Sequence, residues 1–154
     1  MIETPVKCVS TIDFDYDSID YDNLLFYFDY HNVKLYKEPY FKDLVHDSLK
    51  KIFTGKKITL LNVRLHSMEP GVKLHKHADP APPDKEHYHV FHIPLKTNKD
   101  SWIAFEENNV ESFFHLKKGY LWELNNTYTH WGANEGKTPR LHLFIETYIH
   151  DEIL

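Results

Sequence analysis

Three residues in this sequence have the types and the spacing to hold one metal ion. His77-Ala78-Asp79 is a His-x-Asp pair. On extended chain, residues two apart point the same way. One cation could therefore take an imidazole nitrogen and a carboxylate oxygen from this pair. His130 lies 51 residues after Asp79, and Arg140 follows ten residues later. Two histidines and a carboxylate make a facial triad, which leaves coordination positions open for other ligands. A guanidinium such as that of Arg140 can grip a carboxylate with two parallel hydrogen bonds. A His-x-Asp pair alone recurs by chance. The pair, a distal histidine and an arginine ten residues further on are far more specific together.

The chain carries 12 histidines, so the others need weighing. His75 could join His77 in a His-x-His site of the cupin kind. That pattern wants a glutamate about four residues on, where Pro82 and Pro83 stand instead. His75 is better read as an outer-shell or pocket-lining residue. His87 and His89 alternate onto the face opposite His92 and read as structural or exposed. The loop Asp79–Glu86 begins at a candidate ligand and contains three prolines, Pro80, Pro82 and Pro83. It reads equally as a substrate lid or as a rigid surface turn.

These residues must be positioned by strands. At 154 residues, 42% hydrophobic, the chain fits one domain with an ordinary core. Residues 1–55 read as an N-terminal strand and helices, with Leu24–Phe28 and Tyr36–Phe53 as the helical candidates. Residues 56–150 read as the β core. Its candidate strands are Lys57–Met68, Val72–His77, His87–Leu95, Ser101–Phe105, Ser112–Leu116, Tyr120–Leu124, Tyr128–Asn134 and Arg140–Ile149, with turn residues between most of them. About eight short strands with tight connections make a mainly β jelly roll or barrel, with the helices packed on the outside. An open sandwich without a pocket is the alternative.

Period 2 sorts the faces. Asn62, Arg64 and His66 share one face of their strand, and Leu61, Val63 and Leu65 the other. His75, His77 and Asp79 align, as do Arg140, His142 and Glu146, with Leu141, Leu143 and Ile145 opposed. A solvated outer face would also be polar. The recurrence of Arg and His, rather than Lys, Glu and Thr, favours a polar interior mouth. Trp122 and Tyr120 alternate with Leu121 and read as core before substrate cage. Asn125-Asn126 reads as a turn.

The text from residue 58 to 149 resembles the aspartyl/asparaginyl β-hydroxylase family of Fe(II)/2-oxoglutarate-dependent dioxygenases. The resemblance runs through Arg64, Pro70-Gly71, His77 with Asp79, His92-Ile93-Pro94-Leu95, Gly119 and Trp122. It continues through Asn125-Asn126, His130, Asn134 and Arg140-Leu141-His142-Leu143, in that order. It implies a double-stranded β-helix (jelly-roll, cupin-like) fold, with Fe(II), 2-oxoglutarate and O2, and with succinate and CO2 as co-products of hydroxylating a C–H bond. It implies that His77, Asp79 and His130 hold the iron, that Arg140 binds the distal carboxylate of 2-oxoglutarate, and that His92 sits beside the co-substrate. Asn126 would form a turn near the iron, with His75, Trp122 and His142 around the site.

The sequence departs from the family in two places. Val90 stands where members commonly carry an arginine, two residues before the histidine of His-x-Pro-Leu. His66 stands where a small polar residue is common. Arg64 or His66, on one face, is expected to substitute for the missing arginine in binding the co-substrate.

The substrate expected is an amino acid or a peptidyl residue, small or short. A non-oxygenase metal-binding cupin and a non-enzymatic jelly-roll binding module are the alternatives. With a net charge of −5 and only the Lys50-Lys51 and Lys56-Lys57 pairs as basic clusters, no nucleic-acid partner is expected. No apolar run reaches the ~20 residues of a membrane span and no signal sequence is visible, so a cytoplasmic protein is expected. Cys8 is the only cysteine, which excludes an intrachain disulfide.

Overall fold

The computed structural model describes residues 1–19, 26–28, 34–36 and 41–152. Two antiparallel sheets form the double-stranded β-helix. The larger is built from β1 (Val6–Thr11), β2 (Phe26–Phe28), β3 (Lys34–Tyr36), β4 (Lys56–Met68), β5 (Tyr88–Lys96), β8 (Tyr120–Leu124) and β10 (Arg140–Asp151), in the order β1-β8-β5-β10-β4-β3-β2. The smaller runs β7-β6-β9, from β6 (Ser101–Glu107), β7 (Val110–Phe114) and β9 (Thr129–Asn134). The one α-helix among the described residues, α1, spans Phe41–Ile52. No helix among them is long and apolar enough to cross a membrane.

The larger sheet is two-faced. Val63 and Leu65 of β4, Phe91, Ile93 and Leu95 of β5, and Leu141, Leu143 and Ile145 of β10 form one buried cluster with Val45 and Leu49 of α1. That leaves Arg64, His66, His92, Arg140 and Phe144 on the other face, where they line a cavity with residues from the smaller sheet. Covering the apolar face with a helix is what makes the polar face the interior one.

Leu61 departs from the expected alternation. It is 44% exposed, although Val63 and Leu65 are buried. The β4–β10 register steps from Asn62↔Glu146 to Leu60↔Thr147, so Leu61 is an extra residue in a bulge. A bulge shifts every later side chain to the opposite face. Ile58 and Leu60 accordingly join the core in its place.

Three other expectations are corrected. Phe26–Phe28 is a strand paired with β3, not part of a helix, while Leu24 lies outside the described residues. Tyr36 ends a strand. The helix is described only from Phe41, with 37–40 outside the described residues. Val72–His77 forms no strand. It pairs with β9 only through isolated bridges at Lys73↔Ala133 and His77↔His130. Gly71, at φ +88°, turns the chain into this segment, a conformation glycine adopts without steric cost. Between β6 and β7 the hairpin turn is Asn108-Asn109, both left-handed at φ +51° and +64°. That pair suits the two-residue hairpin turn.

Candidate active site

His77, Asp79 and His130 converge. One ligand atom from each lies within 4.8 Å of the other two. The backbone sets this proximity. His77 N donates to His130 O at 3.0 Å, and His130 N donates back to His77 O at 2.8 Å. Asp79 N donates to Asn126 O at 2.9 Å, which ties the carboxylate-bearing residue to the turn before β9. The two imidazoles stand 4.3 Å apart between centroids.

Each imidazole is oriented by a second bond. His77 Nδ1 lies 2.7 Å from His75 O, and His130 Nδ1 lies 2.8 Å from Tyr128 O. A carbonyl can only accept, so whenever either ring is neutral its proton sits on Nδ1 and its lone pair on Nε2. His130 Nε2 lies 3.8 Å from Asp79 Oδ2. Two Nε2 lone pairs, each on a ring braced from behind, and a carboxylate are the donor set that suits a divalent iron.

The three residues line a cavity of about 380 Å³ together with Arg140, His92, His66 and Arg64. Arg140 is 4% exposed, its Nε has no hydrogen-bond partner, and it meets no carboxylate among the described residues. Burial lowers its pKa to about 10, which still leaves it charged near neutrality. A buried guanidinium without a counter-charge fits an incoming carboxylate. His92 is held well into the neutral range, its pKa lowered to about 3 by burial, then by Arg140 and His130. Burial, then His92, Arg140 and Arg64, lowers His66 as well, and its Nε2 is buried without a partner. His142 pairs Nδ1 to Nδ1 with His92 at 3.1 Å, so one ring donates and the other accepts.

The remaining expected site residues fall in different places. Asn126 lines the cavity, with Oδ1 buried and unpartnered. His75 is exposed and contributes its carbonyl. Trp122 is not brought to the cavity. It packs against the cluster of Ile103, Phe105, Leu116 and Leu124, and its Nε1 donates to Lys117 O at 3.0 Å. The loop after Asp79 is tied down by Asp84, whose carboxylate meets His87 Nδ1 at 2.7 Å and His150 Nε2 at 2.8 Å.

Sequence reasoning missed Tyr88 and Phe144 as cavity residues and noted Glu146 only as sharing a face with Arg140. The signal was available: Tyr88 lies on the His92 side of β5, four residues earlier, and Glu146 on the Arg140 side of β10, six later.

The model of the family described as "Aspartyl/Asparaginyl beta-hydroxylase" matches residues 21–149. The chain belongs to the aspartyl/asparaginyl β-hydroxylase family. It is accordingly a hydroxylating oxygenase of that family. No curated protein matches the sequence. Among solved structures, a 2OG-Fe(II) oxygenase family oxidoreductase from Burkholderia pseudomallei has a TM-score of 0.62 at 11% identity, covering 84% of this chain and 74% of that one. HygX from Streptomyces hygroscopicus, solved with nickel and 2-oxoglutarate bound, has 0.63 at 12% identity, covering 82% and 74%. A Pseudomonas putida prolyl-4-hydroxylase has 0.52 at 14% identity, covering 83% and 78%. At such identities the likeness is one of fold.

Proposed function

We propose that this β-hydroxylase family member holds Fe(II) with His77, Asp79 and His130, holds 2-oxoglutarate with Arg140, and hydroxylates a C–H bond of an amino acid or peptidyl residue. The observation that carries this reading is the juxtaposition in one cavity of a converging His–Asp–His set and a buried arginine with no carboxylate partner. With iron, 2-oxoglutarate and O2 bound, the site would have the oxidising power that no side chain can supply.

The chain's own contribution is orientation and charge. The His75 and Tyr128 carbonyls keep both imidazoles in the ligating tautomer. Arg140 takes the distal carboxylate of the co-substrate, where burial makes the charge-assisted bonds strong and keeps water from competing. His66 and Arg64, on the same cavity wall, are the groups available in place of the arginine absent at Val90. His66 and His92 stay neutral, so they offer hydrogen bonds without adding cationic repulsion beside Arg140.

Incubating the Fe(II)-loaded protein with 2-oxoglutarate and a panel of amino acids and short peptides tests the assignment. Substrate-stimulated succinate and a product heavier by one oxygen are expected, both lost in Asp79→Ala. Hydroxylation that persists in Asp79→Ala would overturn the ligand assignment.

A further inference from the structure

Among the described residues, Glu146 is the only acidic one besides Asp79 on the wall of the cavity described above. It is half-buried on β10. Its cross-strand neighbours are Asn62 on β4 and Val90 on β5, neither of them charged. Asn62 Nδ2 donates to Oε1 at 3.1 Å, and the Tyr88 hydroxyl donates to Oε2. No cationic side chain among the described residues pairs with it. Arg64 lies opposite Phe144, one step along the same face, and points its guanidinium over the Phe144 ring at 6.0 Å.

We infer that Glu146 is a specificity-determining residue: it receives a protonated amine of the substrate, and the enzyme selects amine-bearing small substrates, such as free amino acids, over their N-acylated forms. The inference rests on the oxygenase reading of this cavity and deepens it. An ionised carboxylate accepts at about four positions, and the two bonds here occupy only part of that capacity. Both donors are neutral, so they aim the carboxylate without cancelling its charge. Burial, Glu146 and then Asp79 raise the Tyr88 pKa, which keeps the hydroxyl protonated as a donor. A bound ammonium would supply the counter-charge that the chain omits, through hydrogen bonds about twice as strong as neutral ones. The cavity is then sorted by sign. Arg64 and Arg140 suit carboxylates, and Glu146 suits a cation.

The test is calorimetric titration of the folded protein with the free L-amino acids and n-butylamine, each beside its N-acetyl counterpart, in the wild type, Glu146→Gln and Asn62→Lys. At least one amine is expected to bind saturably in the wild type, at least about tenfold more tightly than its acetylated counterpart. Glu146→Gln is expected to abolish that preference. Asn62→Lys, which sets the chain's own ammonium against Glu146, is expected to abolish it independently, so the test does not hang on one variant folding. Saturable binding by no amine, equal binding of the acetylated forms, or a preference that survives in either folded variant would overturn the inference. The titrations are run with and without Fe(II) and 2-oxoglutarate. A missing iron–co-substrate absorption band would contradict the oxygenase site, and the amine comparison in metal-free protein would still stand or fall by itself.

Discussion

His77 and His130 face each other across a two-bond backbone bridge, N to O at 3.0 Å one way and 2.8 Å the other. The bridge is isolated, with no strand on the His77 side. It brings together two residues 53 positions apart in sequence and leaves the chain free to turn at once, so that Asp79 reaches Asn126 two residues later.

Arg140 is predicted to act through its fork rather than through charge alone. Arg140→Lys keeps the charge and loses the planar pair of donors. Its 2-oxoglutarate affinity should fall by about 1.5–3 kcal/mol, about ten- to a hundredfold. Equilibrium titration of the iron-loaded variant measures this. Affinity equal to the wild type would mean that the co-substrate carboxylate is held elsewhere.

The buried histidines predict acid sensitivity. His66, His92 and His142 all have folded-state pKa values below the ordinary histidine value, chiefly from burial. Below about pH 6.5 the unfolded chain takes up protons that the folded chain refuses, so stability falls as pH falls. Each such group steepens the loss by up to about 1.4 kcal/mol per pH unit, until the pH reaches its folded value. For His92 that window runs from 6.5 down to about 3. His142→Asn keeps a polar group for His92 but cannot titrate, and urea unfolding between pH 7 and 4 should show a shallower acid limb. An unchanged limb would remove His142 from the account.

Much of the architecture was legible because strands advertise themselves by alternation. The apolar residues Leu141, Leu143 and Ile145 and the opposed Arg140, His142 and Glu146 fall on opposite faces of β10, as period 2 requires. The spacing that singled out His77, Asp79 and His130 corresponds to real proximity. What was not legible is long-range. Alternation cannot reveal the bulge at Leu61, because that extra residue is defined by the partner strand. Val72–His77 has strand-like composition and runs along β9, but its register slips by one residue between Lys73↔Ala133 and His77↔His130, so only two isolated bridges form. Trp122 shares the strand register of His92, yet it turns to the apolar cluster under β6 and away from the cavity.

Asn134 is predicted to be the costliest polar residue to remove. Its side chain is fully buried and makes five hydrogen bonds, to Met68 O, Thr138 O, Asn98 Nδ2, Ser101 Oγ and Gly136 N. These join β9, β6, the end of β4 and the turn that leads into Arg140. Asn134→Ala strands several of those partners without water, and a loss of about 2–4 kcal/mol is expected. Chemical denaturation should show a lower midpoint with an unchanged slope. A loss under about 1 kcal/mol would mean that water replaces the network.

The central claim is that one cavity holds iron on His77, Asp79 and His130 and co-substrate on Arg140. The most direct measurement is anaerobic titration of the Fe(II)-loaded protein with 2-oxoglutarate, following the visible charge-transfer absorption of the chelate, with Asp79→Ala and Arg140→Ala alongside. The account predicts a saturable band in the wild type that weakens in both variants. A folded, iron-loaded wild type with no band, or a band of full strength and affinity in both variants, would contradict it.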